Sequence, residues 1–347
     1  MMLWGLALVA ASSGLLQDAE GPRRTVEDLR QGASCVIPED AVTVRAVMDA
    51  LSAGIERPLT LIGRARRPDE EMLNRELVLP FRTGRFWEVI GALEQGLGLE
   101  LQTLRKDQIR FLEPRAKVEW LGDWQVHGAF RLRPYRRATQ GPLMVRLQAE
   151  PWLDKLELKE HDATYKSGRG RGAKETESMA QGSMNNDSLL DYSLDYFFGG
   201  AGQLEGPGEV TGTLQVAAAL WWREVELPAM KSLGKKGHKL GKGRTAQKVE
   251  LLEAGVEEQG GKQRIKIVLT ITDCPSFDSA RLVSADGSEA RWVSHSELGD
   301  GAPMKLMIHF DAESLQGDLD DAHLVLRIPG ESVLHEVPLS FADISFH

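Results

Sequence analysis

Ile265-Lys266-Ile267-Val268-Leu269-Thr270-Ile271-Thr272 is the stretch that decides the fold. Ile265, Ile267, Leu269 and Ile271 fall on one side of an extended chain, and Lys266, Val268, Thr270 and Thr272 on the other. That period of two is the mark of a half-buried β-strand in an antiparallel sheet. The rhythm continues toward the C-terminus. Leu282-Val283 precedes Ala285-Asp286-Gly287-Ser288, a hairpin signal, with Trp292 on the return strand. Leu306, Ile308 and Phe310, then Leu324, Leu326 and Ile328, then Val333 to Phe341, predict three further strands.

The same alternation runs upstream as far as about Trp124. Phe130, Leu132 and Pro134 alternate with Arg131 and Arg133, and Leu143, Val145, Leu147 and Ala149 with Met144, Arg146 and Gln148. Leu156 and Leu158 alternate with Glu157 and Lys159, and Leu214, Val216, Ala218 and Leu220 lead through Trp221-Trp222 to Val225 and Leu227. Many short strands with turn signals predict β-sandwiches. The pattern fails between residues 166 and 208. Ser167 to Asn186 is rich in Gly, Ser, Lys, Glu and Asn and is predicted to be a long mobile loop, whereas Leu189 to Phe198, with Tyr192, Tyr196 and Phe197, is expected to fold back over the sandwich.

Before Pro114 the period is helical. Val44, Val47, Met48 and Leu51 share one helix face, with Asp40 or Thr43 as cap and Gly54 as stop. Leu59 to Ile62 and Glu76 to Leu79 are predicted strands around a polar loop, Arg64 to Asn74. A second helix carries Phe86, Ile90, Leu93 and Leu97 on one face, with Thr83 as cap, and Leu99 to Leu104 with Gln108 to Leu112 makes a hairpin. The order is helix, strand, strand, helix, strand, strand.

With 347 residues, 42% hydrophobic and 27% charged, the chain has material for two or three packed domains. Met1 to Gly14 is a short apolar run followed by small residues, too short to span a bilayer and laid out like a signal peptide, although no Lys or Arg precedes it. The expected division is a signal peptide at 1–17, a small α+β domain at 22–115, a β-sandwich at 124–230 with its long loop at 166–208, a basic Gly/Lys linker or hairpin at 231–245, and a second sandwich at 246–347. Export to the periplasm or the exterior follows, with no membrane span after signal removal. Cys35 and Cys274 make no disulfide framework; pairing and two buried free thiols both stay open.

Two resemblances accompany these patterns. Val44 to Leu51 followed by Leu59 to Ile62, and Phe86-Trp87-Glu88-Val89-Ile90-Gly91-Ala92-Leu93 followed by Gly98-Leu99-Glu100-Leu101, resemble the short N-terminal domain of secretins and TonB-dependent receptors. The remainder resembles uncharacterised exported bacterial proteins in which such a domain precedes Ig-like sandwiches, through Ala322 to Pro329 and Val337 to Phe341. The resemblance implies a role in envelope interactions and carries over no catalytic residue.

The net charge of -9 argues against a general attraction to nucleic acid. One cluster departs from it: Lys231, Lys235, Lys236, Lys239, Lys242 and Arg244 form a candidate anion-binding loop, or else a solvated one. A phosphate loop is excluded, because Lys236 stands where its first Gly belongs and Gly243 where Ser or Thr must follow Lys242. Trp120, Trp124 and Trp152 are candidates for stacking on a sugar, or for filling a core or domain junction. None of the eight histidines has metal-ligand spacing; His309 and His323 could meet across a sheet beside Asp311 or Asp321, and His335 has the parity of a core residue. Glu157, Glu160, His161 and Asp162 follow a strand and offer acid–base chemistry, or simply a charged strand end. No nucleophile motif marks a serine or cysteine. The expectation is a non-enzymatic exported protein without cofactor that binds another envelope protein. A glycan or anionic surface is the alternative ligand, and an enzyme with a composite site around His161 is the third reading.

Overall fold

The computed structural model describes residues 23–38, 43–63, 67–104, 107–113, 118–137, 142–153, 156–167, 174–184, 190–198, 207–233, 237–240, 247–272, 274, 277–298 and 303–344. They are mostly β-strand, arranged in several sheets. The chain forms two compact units, one of Pro22–Trp221 with Pro329–His347, the other, among the described residues, of Trp222–Ile328.

The first unit opens with helix α1 (Val26–Gln31), β1 (Ser34–Val36), α2 (Val44–Gly54), β2 (Thr60–Leu61), α3 (Glu70–Leu73), β3 (Thr83–Arg85), α4 (Phe86–Leu97), β4 (Glu100–Leu104) and β5 (Gln108–Leu112). Thr43 caps α2 as expected, its hydroxyl accepting the Ala46 N–H at 3.4 Å. Val44, Val47, Met48 and Leu51 are buried, each such side chain being worth about 1.5–3 kcal/mol. Helix α4 starts differently from expectation. Thr83 lies in β3, and Glu88 instead accepts the Arg85 N–H at 2.7 Å. Gly98 ends α4 with φ at +65°, where a side chain would be strained. β4 and β5 form the expected hairpin, and β2 joins it parallel to β5. The expected strand at Glu76–Leu79 is absent: Glu76 makes one isolated bridge with Thr43, and Val78 is exposed. The polar stretch before it holds α3, capped by Asp69.

The large sheet of this unit uses β6 (Glu119–Trp120), β7 (Gln125–His127), β8 (Phe130–Arg136), β9 (Leu143–Ala149), β10 (Leu156–Ser167), β11 (Lys174–Met184), β12 (Asp191–Phe198) and β13 (Gly208–Ala229). Its order is β13-β10-β11-β12-β9-β8-β6, with β7 also on β8. Two expectations are corrected. The predicted loop at 166–208 contains β11 and β12, which pair over Ser178–Met184 and Tyr192–Phe198, while Lys174–Glu177 pairs with β10. A strand held along its length by ladders to one neighbour and then the other does not need apolar alternation of its own. Nor do residues 22–115 separate from the following sheet, because one continuous core runs from Leu29, Leu51, Ile90 and Leu93 to Phe130, Val145 and Leu194.

The second unit comprises the end of β13, then β14 (His238–Leu240), β15 (Gln247–Gln259), β16 (Lys262–Ile271), β17 (Ser279–Val283), β18 (Glu289–Ala290), β19 (Trp292–Glu297), β20 (Met304–Asp311) and the start of β21 (His323–Ile344). One sheet runs β14-β15-β16-β20-β19, and β18-β17-β21 belong to the sheet that holds β13, which lies next to β21. Ile265, Ile267, Leu269, Leu306, Ile308 and Phe310 from the first share a core with Leu282, Leu324, Leu326 and Ile328 from the second. Residues 231–245 do not divide units. Those described, 231–233 and 237–240 with β14 among them, lie inside this one, and the chain passes between units within β13 and β21.

Candidate functional site

The residues singled out from sequence are scattered over the fold. Trp152 is buried, and its indole N–H donates to the Glu150 carboxylate at 2.6 Å, which removes it from any stacking surface. Trp120 and Trp124 are half-buried neighbours with ring centres 6.1 Å apart. Their faces are taken by arginine: the Arg133 guanidinium lies 4.2 Å from the Trp120 ring centre and that of Arg131 lies 3.9 Å from Trp124. Arginine thus covers a face of Trp120 and of Trp124, and Trp152 is withdrawn into the core.

Lys231 forms an ion pair with Asp321, and Lys239 sits in β14. Lys235, Lys236, Lys242 and Arg244 lie outside the described residues, as does the stretch 1–17. His309 stands on β20, 3.4 Å from Glu257, while His323 opens β21 in the other sheet, 3.4 Å from Glu226, so the two histidines are not neighbours across one sheet. Among the described residues no cluster of three His, Cys, Asp or Glu could hold a metal. Glu160, His161 and Asp162 lie within β10 rather than beyond a strand end. His161 meets Tyr196 edge-on at 6.0 Å, and burial pushes its imidazole below the ordinary value. His335 is half-buried and stacks on Phe130 at 5.3 Å. Cys35 and Cys274 are both buried, and neither is in a disulfide.

The feature that offers recognition is one the sequence reading passed over, the outer edge of β15. Gly260 and Gly261, with φ at +61° and +74°, make a two-residue turn closed by the Gln259–Lys262 pair. Counting back from that hydrogen-bonded pair, Glu257, Gly255 and Glu253 bond to β16. Ala254, Val256 and Glu258 then turn their N–H and C=O groups away from it. β14 covers only Gln247–Val249, so no other described strand pairs with Glu250–Gln259. Val256 is 57% exposed and Leu252, at a β-bulge, 43%. The side chains along it are acidic. Glu253 and Glu257 reach Lys266 at 3.0 and 3.7 Å, whereas Glu258 is exposed. The legible signal was the Gly260–Gly261 pair directly ahead of the alternating run.

Comparison with protein-family models, curated proteins and solved structures finds no match for this chain.

Proposed function

We propose that the chain is a non-enzymatic exported protein of the bacterial envelope that binds a protein partner by strand addition on β15. The observation that carries this reading is the run Glu250–Gln259, hydrogen-bonded to β16 on one side and, among the described residues, paired with no strand on the other. An exposed edge supplies main-chain donors and acceptors in register, so an extended segment can add to the sheet and gain affinity from backbone bonds. The bulge at Leu251–Glu253 and the glutamates discourage indiscriminate pairing and favour a segment with basic side chains. The export signal, the similarity of residues 26–114 to the short N-terminal domain of secretins and TonB-dependent receptors, and the Ig-like character of the sandwich form part of the same proposal.

The test is affinity capture of the full chain from its native envelope beside an Ala254→Pro variant. Proline there removes an N–H that β16 does not use and blocks an incoming strand. A protein captured by the native chain and lost by a folded variant supports the reading. Equal capture by both contradicts it.

A further inference from the structure

The β15 edge has two faces of different chemistry. Cross-strand partners share a face, so Ala254 and Val256 lie beside Ile267 and Ile265 of the core, and Glu253, Gly255 and Glu257 beside Val268, Lys266 and Arg264 on the outer side. Val256 is nevertheless 57% exposed, and Ala254 is exposed too. The apolar row that starts at Ile265 and Ile267 thus runs out to the edge uncovered by any described residue. On the outer side Gly255 is a notch between two carboxylates. A Cβ built on it would meet no described atom within 4 Å, and Glu253 and Glu257 flank it two residues away on either side. The cations that answer these glutamates stand further in. Lys266 on β16 pairs with both, His309 on β20 lies 3.4 Å from Glu257, and Arg264 is held by Asp311 at 3.7 Å. A strand added at the edge therefore meets carboxylates first.

The backbone sets the register. Ala254, Val256 and Glu258 turn their N–H and C=O groups outward, so an antiparallel newcomer forms its hydrogen-bonded pairs with them. Glu253, Gly255 and Glu257 then fall in the alternate pairs, where opposing Cα atoms come to about 4.5 Å and side chains are closest. A residue opposite Gly255 finds no Cβ in its way, and an aromatic ring laid over an edge glycine fills that space. Cations opposite Glu253 and Glu257 meet the opposite charge, and aliphatic side chains opposite Ala254 and Val256 extend the apolar row. A second copy of this chain fits badly. Two β15 edges meeting antiparallel about Gly255 would set Glu253 directly against Glu257 twice, and like charges in that position repel.

We infer that the segment added at β15 is a strand of another protein in which cation, aromatic and cation occupy alternate positions, opposite Glu253, Gly255 and Glu257, with aliphatic residues between them. This inference rests on strand addition at β15 as the mode of binding.

The experiment is fluorescence anisotropy of the full chain with dye-labelled synthetic peptides at low salt. The reference peptide has lysine, tryptophan and lysine at alternate central positions separated by valine. It should bind about tenfold tighter than a version with glutamate for both lysines. It should bind about fivefold tighter than one with alanine for tryptophan, or one of the same composition with its two lysines side by side. The preference for lysine should shrink to within about twofold in the double variant Glu253→Gln with Glu257→Gln, and the preference for tryptophan likewise in Gly255→Val, which fills the notch. Should a variant fail to fold, the native chain decides alone. Equal binding of the lysine and glutamate peptides, of the tryptophan and alanine peptides, or of the alternating and rearranged peptides, or no binding by any of them, overturns the inference. Ala254→Pro judges strand addition separately. Envelope capture that this variant abolishes, with the peptide preferences absent, leaves strand addition standing and removes only the partner class assigned to it. Capture that the proline leaves unchanged removes both.

Discussion

The Arg131 guanidinium forks onto the Glu94 carboxylate with N–O distances of 2.9 and 3.0 Å, joining strand β8 to helix α4. Arg131 is 1% exposed and also donates to Gln148 at 2.8 Å. Gln148 donates to Asp191 at 3.0 Å, and Asp191 accepts from Arg146, which reaches the Gln102 carbonyl. Burial works against the charge on Arg131, and Glu94 works to retain it. Burial likewise opposes the Arg146 charge, but Asp191 more than offsets it. The seam between helices and sheet is thus a fully engaged polar network.

Removing one end of such a fork strands a buried charge. Glu94→Ala is expected to destabilise the fold by about 3–5 kcal/mol, measured by urea denaturation. The double variant Glu94→Leu with Arg131→Leu should recover most of that loss, because neither charge is then left without its partner. A single variant within about 0.5 kcal/mol of the native chain would show that the network contributes little.

Gly32 adopts φ of +73° and faces Glu150 and Gly128 so closely that a Cβ has no room. Gly32→Ala should cost about 1–3 kcal/mol, whereas Gly261→Ala, at an open hairpin tip with φ of +74°, carries the strain without the clash and should cost less. Thermal unfolding of the two variants side by side checks the order, and a larger loss at Gly261 would refute the account of the corner.

Cys35 and Cys274 lie in different units, both buried. Thiol labelling of the native chain under non-denaturing conditions should be slow at both and complete after denaturation, Cys35 being further suppressed by its raised pKa. Rapid labelling of Cys35 at neutral pH would show that β1 is not held as described.

The sequence exposed the strands well where one face is buried. The alternation of Ile265 to Ile271 marks β16, and the helical spacing of Val44 to Leu51 marks α2. It misled where both faces are covered. Arg131, Arg146 and Gln148 have the parity of a solvent face, yet they are buried, because α4 and β4 cover that side of β8 and β9 and supply Glu94 and the Gln102 carbonyl. One polar strand face looks the same in sequence whether water or a complementary polar surface lies over it. β11 was hidden for a related reason: its place is set by the backbones of β10 and β12 rather than by its own side-chain pattern. The candidate site was illegible because an open edge depends on which strand is missing beside it. Val256 and Leu252 show nothing unusual as letters.

Amide exchange gives a direct check on β11. Ser178–Met184 should be protected to a degree comparable with its partner Tyr192–Phe198, and exchange at the rate of an unstructured peptide would restore the loop reading.

The most direct test of the β15 proposal is site-specific photocrosslinking from position 256 in the native envelope. A photoreactive residue replacing Val256 should give a discrete adduct with one partner protein, and that adduct should disappear when Ala254→Pro is added. Diffuse adducts identical to those from a probe at Val78, which is 93% exposed and far from β15 in sequence, or an adduct untouched by the proline, would contradict strand addition at this edge.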